Sequence, residues 1–440
     1  MVANKGRLVF ALVFLFIYIP FITNYGFRSV EEKNVDLPSF YYATNIAFNQ
    51  HGSPYQSGSW LPVQNELNQQ VFPYLYPPSS LLLLAPYSLF SYDGLKVLVL
   101  VVNHLCVLLV IYLLLFRVFS ISLPTGGHEK TDDGLLRWLL MPMLILYTLQ
   151  YHPLAVTLGH GQINLVVLVL LCLFWLTLRA RSNPALVGLP LAAAILLKTY
   201  PLLFVPLLLI RRKFRIAAFT GLYVGILVGI SMVVLPENAW SDWINLVLPT
   251  GGYGQSPGNV FSPAIPWNQS LNGFTARIFL HPAYAMNLNP GLARIIPLLV
   301  SVLIISVLAW LASRLTSRHE TRYVNDEFVL VLLSIFLIAP LSWEHHLVFV
   351  LPAAMLALIQ LTTEKTSFKI LIPVGLAVGL MAWPLPFLFR ISDKGPLGLL
   401  VSLKLFAVAV LWIYFVGRLF KLLGQEKELT QPSGPIQKNI

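Results

Sequence analysis

Apolar runs long enough to cross a roughly 30 Å hydrocarbon core recur along this chain from end to end, and no other feature limits its fold as tightly. They fall near residues 8–22, 94–116, 138–156, 163–178, 184–210, 216–235, 293–312, 328–341, 345–361, 370–389 and 395–419. A backbone in lipid must satisfy its own polar groups, so each run reads as helix. The chain then reads as an all-α, polytopic transmembrane bundle of roughly ten to thirteen membrane helices, some split or tilted. A soluble fold fails on charge, because 57% of the 440 residues are hydrophobic and only 11% are charged. That is too little charge to cover a water-facing surface.

The net charge of +11 raises the question of nucleic acid. The Lys and Arg residues sit in short clusters between apolar runs, where they set orientation, so no nucleic-acid partner is expected. Putting Arg179, Arg181 and the run from Arg211 to Arg215 in the cytoplasm, and alternating the other spans, leaves most of the 29 basic residues on that side. Both termini are then cytoplasmic. Lys5 and Arg7 precede residues 8–22 in the manner of a signal peptide, but no small-x-small site follows, and the run is expected to stay as a first helix. Cys106 and Cys172 lie inside apolar runs and read as small hydrophobes. A transmembrane domain is expected over residues 1–423, with a disordered cytoplasmic tail over 424–440, where Pro, Gly and polar residues take over.

This topology leaves two long segments outside the cytoplasm, residues 23–92 and 236–292. They are rich in aromatics, Pro, Gly, Asn and Gln, which suits an ordered surface hugging the membrane interface better than a flexible linker.

Ionisable and polar residues at the ends of apolar runs are the candidates for chemistry. Asp36 follows the first helix, ahead of Tyr41 and Tyr42. A partly desolvated carboxylate there would have a raised pKa and could take a proton from a hydroxyl. The competing reading is a helix N-cap, since Leu37 and Pro38 follow. Trp343, Glu344, His345 and His346 sit between two apolar runs, with one of the histidines expected in a site and a polar junction as the alternative. Lys198 interrupts residues 184–210 at a Pro-marked break, and a phosphate is the natural partner for its ammonium, with snorkelling to an interface as the alternative. The stretch from Gly159 to Asn164, which includes Gln162, opens a helix and would offer unpaired backbone N–H groups to an anionic or polyol ligand. Asn268-Gln269-Ser270 matches a glycosylation pattern and reads as loop structure.

Taken in order, these pieces resemble glycosyltransferase family 87, whose members use polyprenol-phosphate sugars. The resemblance runs from Asp36 through Tyr41-Tyr42, Tyr76-Pro77-Pro78, Gly161 to Asn164, Lys198 to Pro201 and Asn268 to Ser270, ending at Ser342 to His346. It implies a GT-C fold with an extracytoplasmic active site in a plasma (inner) membrane. It also implies inverting transfer, mannose or another hexose first among the sugars, to a glycolipid or glycan. Asp36 would be the base, with His345 or His346 in the active site. Lys198, Gln162 and Asn164 would lie at the donor phosphate, and Tyr41, Tyr76, Asn268, Gln269, Trp343 and Glu344 at the substrates. Two positions depart from the family pattern: Thr199 follows the lysine directly, and Glu344 stands where Asp is common. No cofactor is expected, and metal independence is favoured over assistance by a divalent metal, because the outer segments lack an obvious carboxylate cluster. A transporter or flippase, and a non-catalytic scaffold, are the competing classes; halves related by hydropathy symmetry would favour the first.

Overall fold

The computed structural model describes residues 15–16, 18–24, 34–120, 132–256, 258, 260–280, 289–315, 320–391 and 395–430. Among these residues there are helices and turns but no strand. Most of the expected first helix, and residues 431–440 of the expected tail, lie outside the described residues.

A short helix, α1 (Leu37–Phe48), precedes α2 (Ser79–Leu84) and the long α3 (Tyr92–Tyr112). Then come α4 (Asp132–Leu149), α5 (His152–Gly159), α6 (Asn164–Arg179) and α7 (Pro184–Leu197). After a break follow α8 (Phe204–Ile210), α9 (Phe214–Val234), α10 (Leu271–Leu280) and α11 (Pro290–Arg314). The chain closes with α12 (Glu320–Ile338), α13 (Leu351–Thr363), α14 (Phe368–Ala382) and α15 (Leu403–Thr430).

Among the described residues, five helical stretches are long and apolar enough to span a membrane, and α4 with α5, bent by 41° at Gln150-Tyr151, makes a sixth. The larger number expected from sequence counted shorter apolar helices, such as α6, α7 and α14, as spans of their own. The class stands: this is a multi-pass membrane protein. Helix α9 turns Leu222, Ile226, Ile230 and Val233 outward, which suits a face bathed in lipid. Its other face meets α7 closely. A Cβ on Gly188 would lie 2.9 Å from the Thr220 amide, so only glycine admits that approach. Inside, Trp175 of α6 stacks on Phe328 of α12 with centroids 4.0 Å apart, and Phe204 of α8 packs on the same ring.

Polar residues tie the helices at both ends of the bundle. Near the start of α12, Arg418 of α15 reaches Asp326 at 2.8 Å and Glu364 at 2.7 Å. At the other end of α12 the turn Pro340–Ser342 leads into a 3-10 helix, Glu344–Val350, that runs into α13. One correction falls on the tail. Helix α15 continues to Thr430, because Gln425-Glu426-Lys427-Glu428 are sound helix formers that extend a helix already anchored in the bundle.

Candidate active site

The break that sequence places at Lys198 is real. Helix α7 ends at Leu197, Lys198 is extended (φ −147°, ψ 128°), and a 3-10 turn over Tyr200–Leu203 restarts the chain. Lys198 is left pointing into a cavity of about 410 Å³ beside the Glu344–Val350 turn. The same cavity is lined by Asp36, Tyr76, Gln162, Trp343, His345 and His346, which with Lys198 come from five separate stretches of the chain. Phe72, Leu75, Val247, Leu248, Val260 and Phe261 supply an apolar wall.

Asp36 occupies the N-cap position of α1, yet its side chain makes no capping hydrogen bond. The start of the helix is held from outside instead. The amides of Asp36 and Leu37 both donate to the His160 carbonyl at 3.1 Å. Gly161 sits beside them at φ +66°, where an added Cβ would lie 2.7 Å from the Leu37 Cβ. This frees the carboxylate to meet His160, whose Nδ1 is 3.1 Å from Asp36 Oδ2. The direction of the pKa shift corrects the expectation. Burial pushes the Asp36 carboxyl up, but the His160 hydrogen bond, the positive potential of His345 and His160 and a Gln162 hydrogen bond outweigh it and hold the group at about 2. Asp36 is therefore a carboxylate at neutral pH.

His346 and Lys198 form the other half of the site. The Trp343 amide donates to His346 Nδ1 at 3.1 Å, so the neutral ring carries its proton on Nε2. Nε2 lies 3.3 Å from Lys198 Nζ. Lys198 in turn donates to the Tyr76 hydroxyl at 3.1 Å, which leaves the Tyr76 proton free to donate onward. Burial pushes the Tyr76 hydroxyl well up, so it keeps that proton. Three donors thus crowd one wall, and side-by-side donors are comfortable only around a shared acceptor, above all an anion. Two of the lining residues also carry a buried polar atom with no partner among the described residues, Gln162 Oε1 and Trp343 Nε1. One accepts and the other donates, the complement a polyol needs.

His345 lines the cavity with its ring edge-on to His160 (centroids 5.4 Å) and to His346 (4.4 Å). Its carbonyl accepts from Thr157 Oγ1 at 3.1 Å and from Asn164 Nδ2 at 3.0 Å. Asn164 therefore supports the histidine turn and is absent from the cavity lining. Ahead of α6, Gly161 N and Gln162 N donate to the Leu158 and Thr157 carbonyls, so these two amides are not open to a ligand. Ligand atoms of Asp36, His160 and His345 lie within 4.8 Å of one another, a spacing and a mixed N/O set that would fit a divalent cation.

Four more expected substrate residues lie off the cavity lining. Tyr41 packs on Tyr92 with centroids 5.3 Å apart, on a different face of α1 from Phe40. Asn268 is wholly buried and its Oδ1 accepts from the Ser342 amide at 3.2 Å. Gln269 donates from its amide to Ser342 O (2.7 Å) and from Nε2 to Val401 O (2.7 Å). Both fix the Pro340–Ser342 turn. Glu344 turns away to His152 and Lys404. His160, by contrast, was missed as a side chain, and its only sequence signal is a histidine between two glycines just ahead of an apolar helix.

A helical membrane bundle with a half-buried carboxylate beside a wall of hydrogen-bond donors in one half-apolar cavity defines a membrane-embedded candidate active site. The model of glycosyltransferase family 87 matches residues 74–340, and the chain belongs to that family. It is a membrane glycosyltransferase, which sets the transporter and scaffold readings aside. The match takes in Tyr76, Gln162 and Lys198 and ends just short of the histidine pair.

Relatives of the chain include a polyprenol-phosphate-mannose-dependent alpha-(1-2)-phosphatidylinositol mannoside mannosyltransferase of Mycobacterium tuberculosis, 25% identical over 71% of this chain and 67% of the relative. A polyprenol-phosphate-mannose-dependent alpha-(1-2)-phosphatidylinositol pentamannoside mannosyltransferase of the same species is 26% identical over 68% of this chain and 61% of its own length. A third, from Mycolicibacterium smegmatis and named as the first is, is 24% identical over 74% and 70%.

Proposed function

We propose that this glycosyltransferase moves a sugar, with mannose the first candidate, from a polyprenyl-phosphate donor to the hydroxyl of a glycolipid or glycan acceptor. The observation that carries the reading is the donor wall of Lys198, His346 and Tyr76 in the same cavity as the ionised Asp36. Asp36 removes the proton from the acceptor hydroxyl, which attacks the anomeric carbon from the face opposite the phosphate and inverts it. The bond to the lipid phosphate oxygen breaks, and the growing negative charge falls on the three donors, which are already oriented toward it. Gln162 Oε1 and Trp343 Nε1 meet sugar hydroxyls, and the apolar wall takes the first isoprene units.

The donor class is supported by the names of three relatives and by the half-apolar, half-cationic lining. The basic clusters favour a plasma-membrane location with both termini cytoplasmic and the cavity on the other face. Residues up to 423 form the catalytic unit. The test is turnover by purified protein in nanodiscs, offered a panel of polyprenyl-phosphate sugars with membrane glycolipid as acceptor. Release of polyprenyl phosphate with a new glycoside of inverted configuration is expected from at least one donor. Retention of configuration, or no turnover of any donor by folded protein, would overturn the reading.

A further inference from the structure

Glu344 immediately precedes the two cavity histidines yet faces away from the cavity. Its Oε1 meets His152 Nδ1 at 2.6 Å and the Lys404 ammonium. Glu344 keeps 13% of its side-chain exposure and Lys404 only 2%. The contact joins the first residue of α5, the histidine turn and the second residue of α15. Each partner stands on a firm base. Ser402, just before α15, accepts from the fully buried Arg277 at 2.7 Å, and the neighbouring Val401 carbonyl accepts from Gln269. On the α5 side, the Tyr151 hydroxyl donates to Leu347 O at 2.9 Å and Thr157 to His345 O.

Burying such a pair forfeits the hydration of both charges, and well-packed apolar residues hold helices together at less cost. What a directional ionic contact adds is a fixed position. We propose that Glu344, clamped by Lys404 and His152, is a positioning residue that sets where His345 and His346 stand relative to Asp36 and Lys198. The inference rests on the cavity being the transfer site.

The test compares Glu344→Gln, Lys404→Met and the double variant, with Lys404→Arg as the conservative control. Each is measured for kcat, for thermal midpoint, and for the imidazole signals of His345 and His346 in 15N-histidine-labelled protein. Glu344→Gln leaves the buried Lys404 charge without its partner and Lys404→Met leaves Glu344 to His152 alone, and both are expected to lose stability and activity. The double variant removes both charges, so its midpoint is expected to recover while kcat stays down about a hundredfold, the size of a 1 Å misplacement. The two histidine signals are expected to move in the double variant and stay near wild type in Lys404→Arg. Recovery of kcat together with the midpoint, or unmoved histidine signals, would overturn the proposal. If wild type turned over no donor, the proposed function would fall, while the histidine signals would still decide whether Glu344 sets their position.

Discussion

Asp36 Oδ2 and His160 Nδ1 lie 3.1 Å apart across a contact that joins residues 124 positions distant in the chain. The hydrogen bond has a pH consequence. A carboxylate held at about 2 has its base form fully present above the ordinary Asp value of about 4, losing it only as pH falls through the lowered value. Asp36 therefore contributes no acid limb to kcat/KM over roughly pH 5 to 8. His160→Ala removes the bond and leaves burial opposed only by His345 and Gln162, so the Asp36 limb is expected to move to higher pH. Profiles of wild type and His160→Ala check this; superimposable profiles would disprove the coupling.

Gly161 admits a prediction about geometry alone. Gly161→Ala would put a Cβ 2.7 Å from Leu37 and 2.8 Å from Asn34 Oδ1, at a positive φ. The strain is on the order of 1–3 kcal/mol, and α1 can relieve it only by moving the residue next to Asp36. Activity is expected to fall more than the thermal midpoint does. Wild-type kcat in the variant would mean that the helix start tolerates displacement.

At Lys198 the account predicts a loss of anion affinity. Removing a charged hydrogen-bond donor costs about 1.5–3 kcal/mol, so Lys198→Met is expected to weaken binding of polyprenyl phosphate by one to two orders of magnitude and to leave binding of polyprenol alone unchanged. Lys198→Arg is expected to recover only part, because a planar fork does not fit a cavity shaped around a point charge flanked by Tyr76 and His346. Titration calorimetry in detergent reads both. Equal weakening for phosphate and alcohol would assign Lys198 a structural role.

The spacing of Asp36, His160 and His345 makes metal dependence a sharp test. Asp36 already takes a hydrogen bond from His160, and the mechanism needs no ion. Turnover is expected to survive exhaustive chelation. Loss of activity restored by one divalent cation would turn that trio into a metal site and reassign Asp36 from base to ligand.

Lys198, the histidine pair, Gln162 and Asp36 were legible because each is a polar residue near the end or interruption of an apolar run, where lipid makes polarity costly, whereas Tyr76 was legible only through the family resemblance. Tyr41 was misjudged because consecutive helix positions are turned by about 100°, so Phe40 reaches the cavity while Tyr41 packs on Tyr92 beside a different face. Glu344 was misjudged because its partners, His152 and Lys404, are remote in sequence, and Lys404 reads as a stray charge in an apolar run. Asn268 and Gln269 were in the right region with a different task, bracing the turn that leads to Trp343. The bundle itself was plain from hydropathy, but the number of crossings was not, since a 14-residue apolar helix such as α7 reads the same whether it spans or stops short.

The most direct test of the central claim, that Asp36 supplies the base while Lys198, His346 and Tyr76 hold the phosphate, compares wild type with Asp36→Asn for both donor binding and transfer in nanodiscs. The account predicts wild-type donor affinity in Asp36→Asn with transfer reduced by about 10²–10⁴-fold. Transfer by Asp36→Asn at the wild-type rate would contradict it.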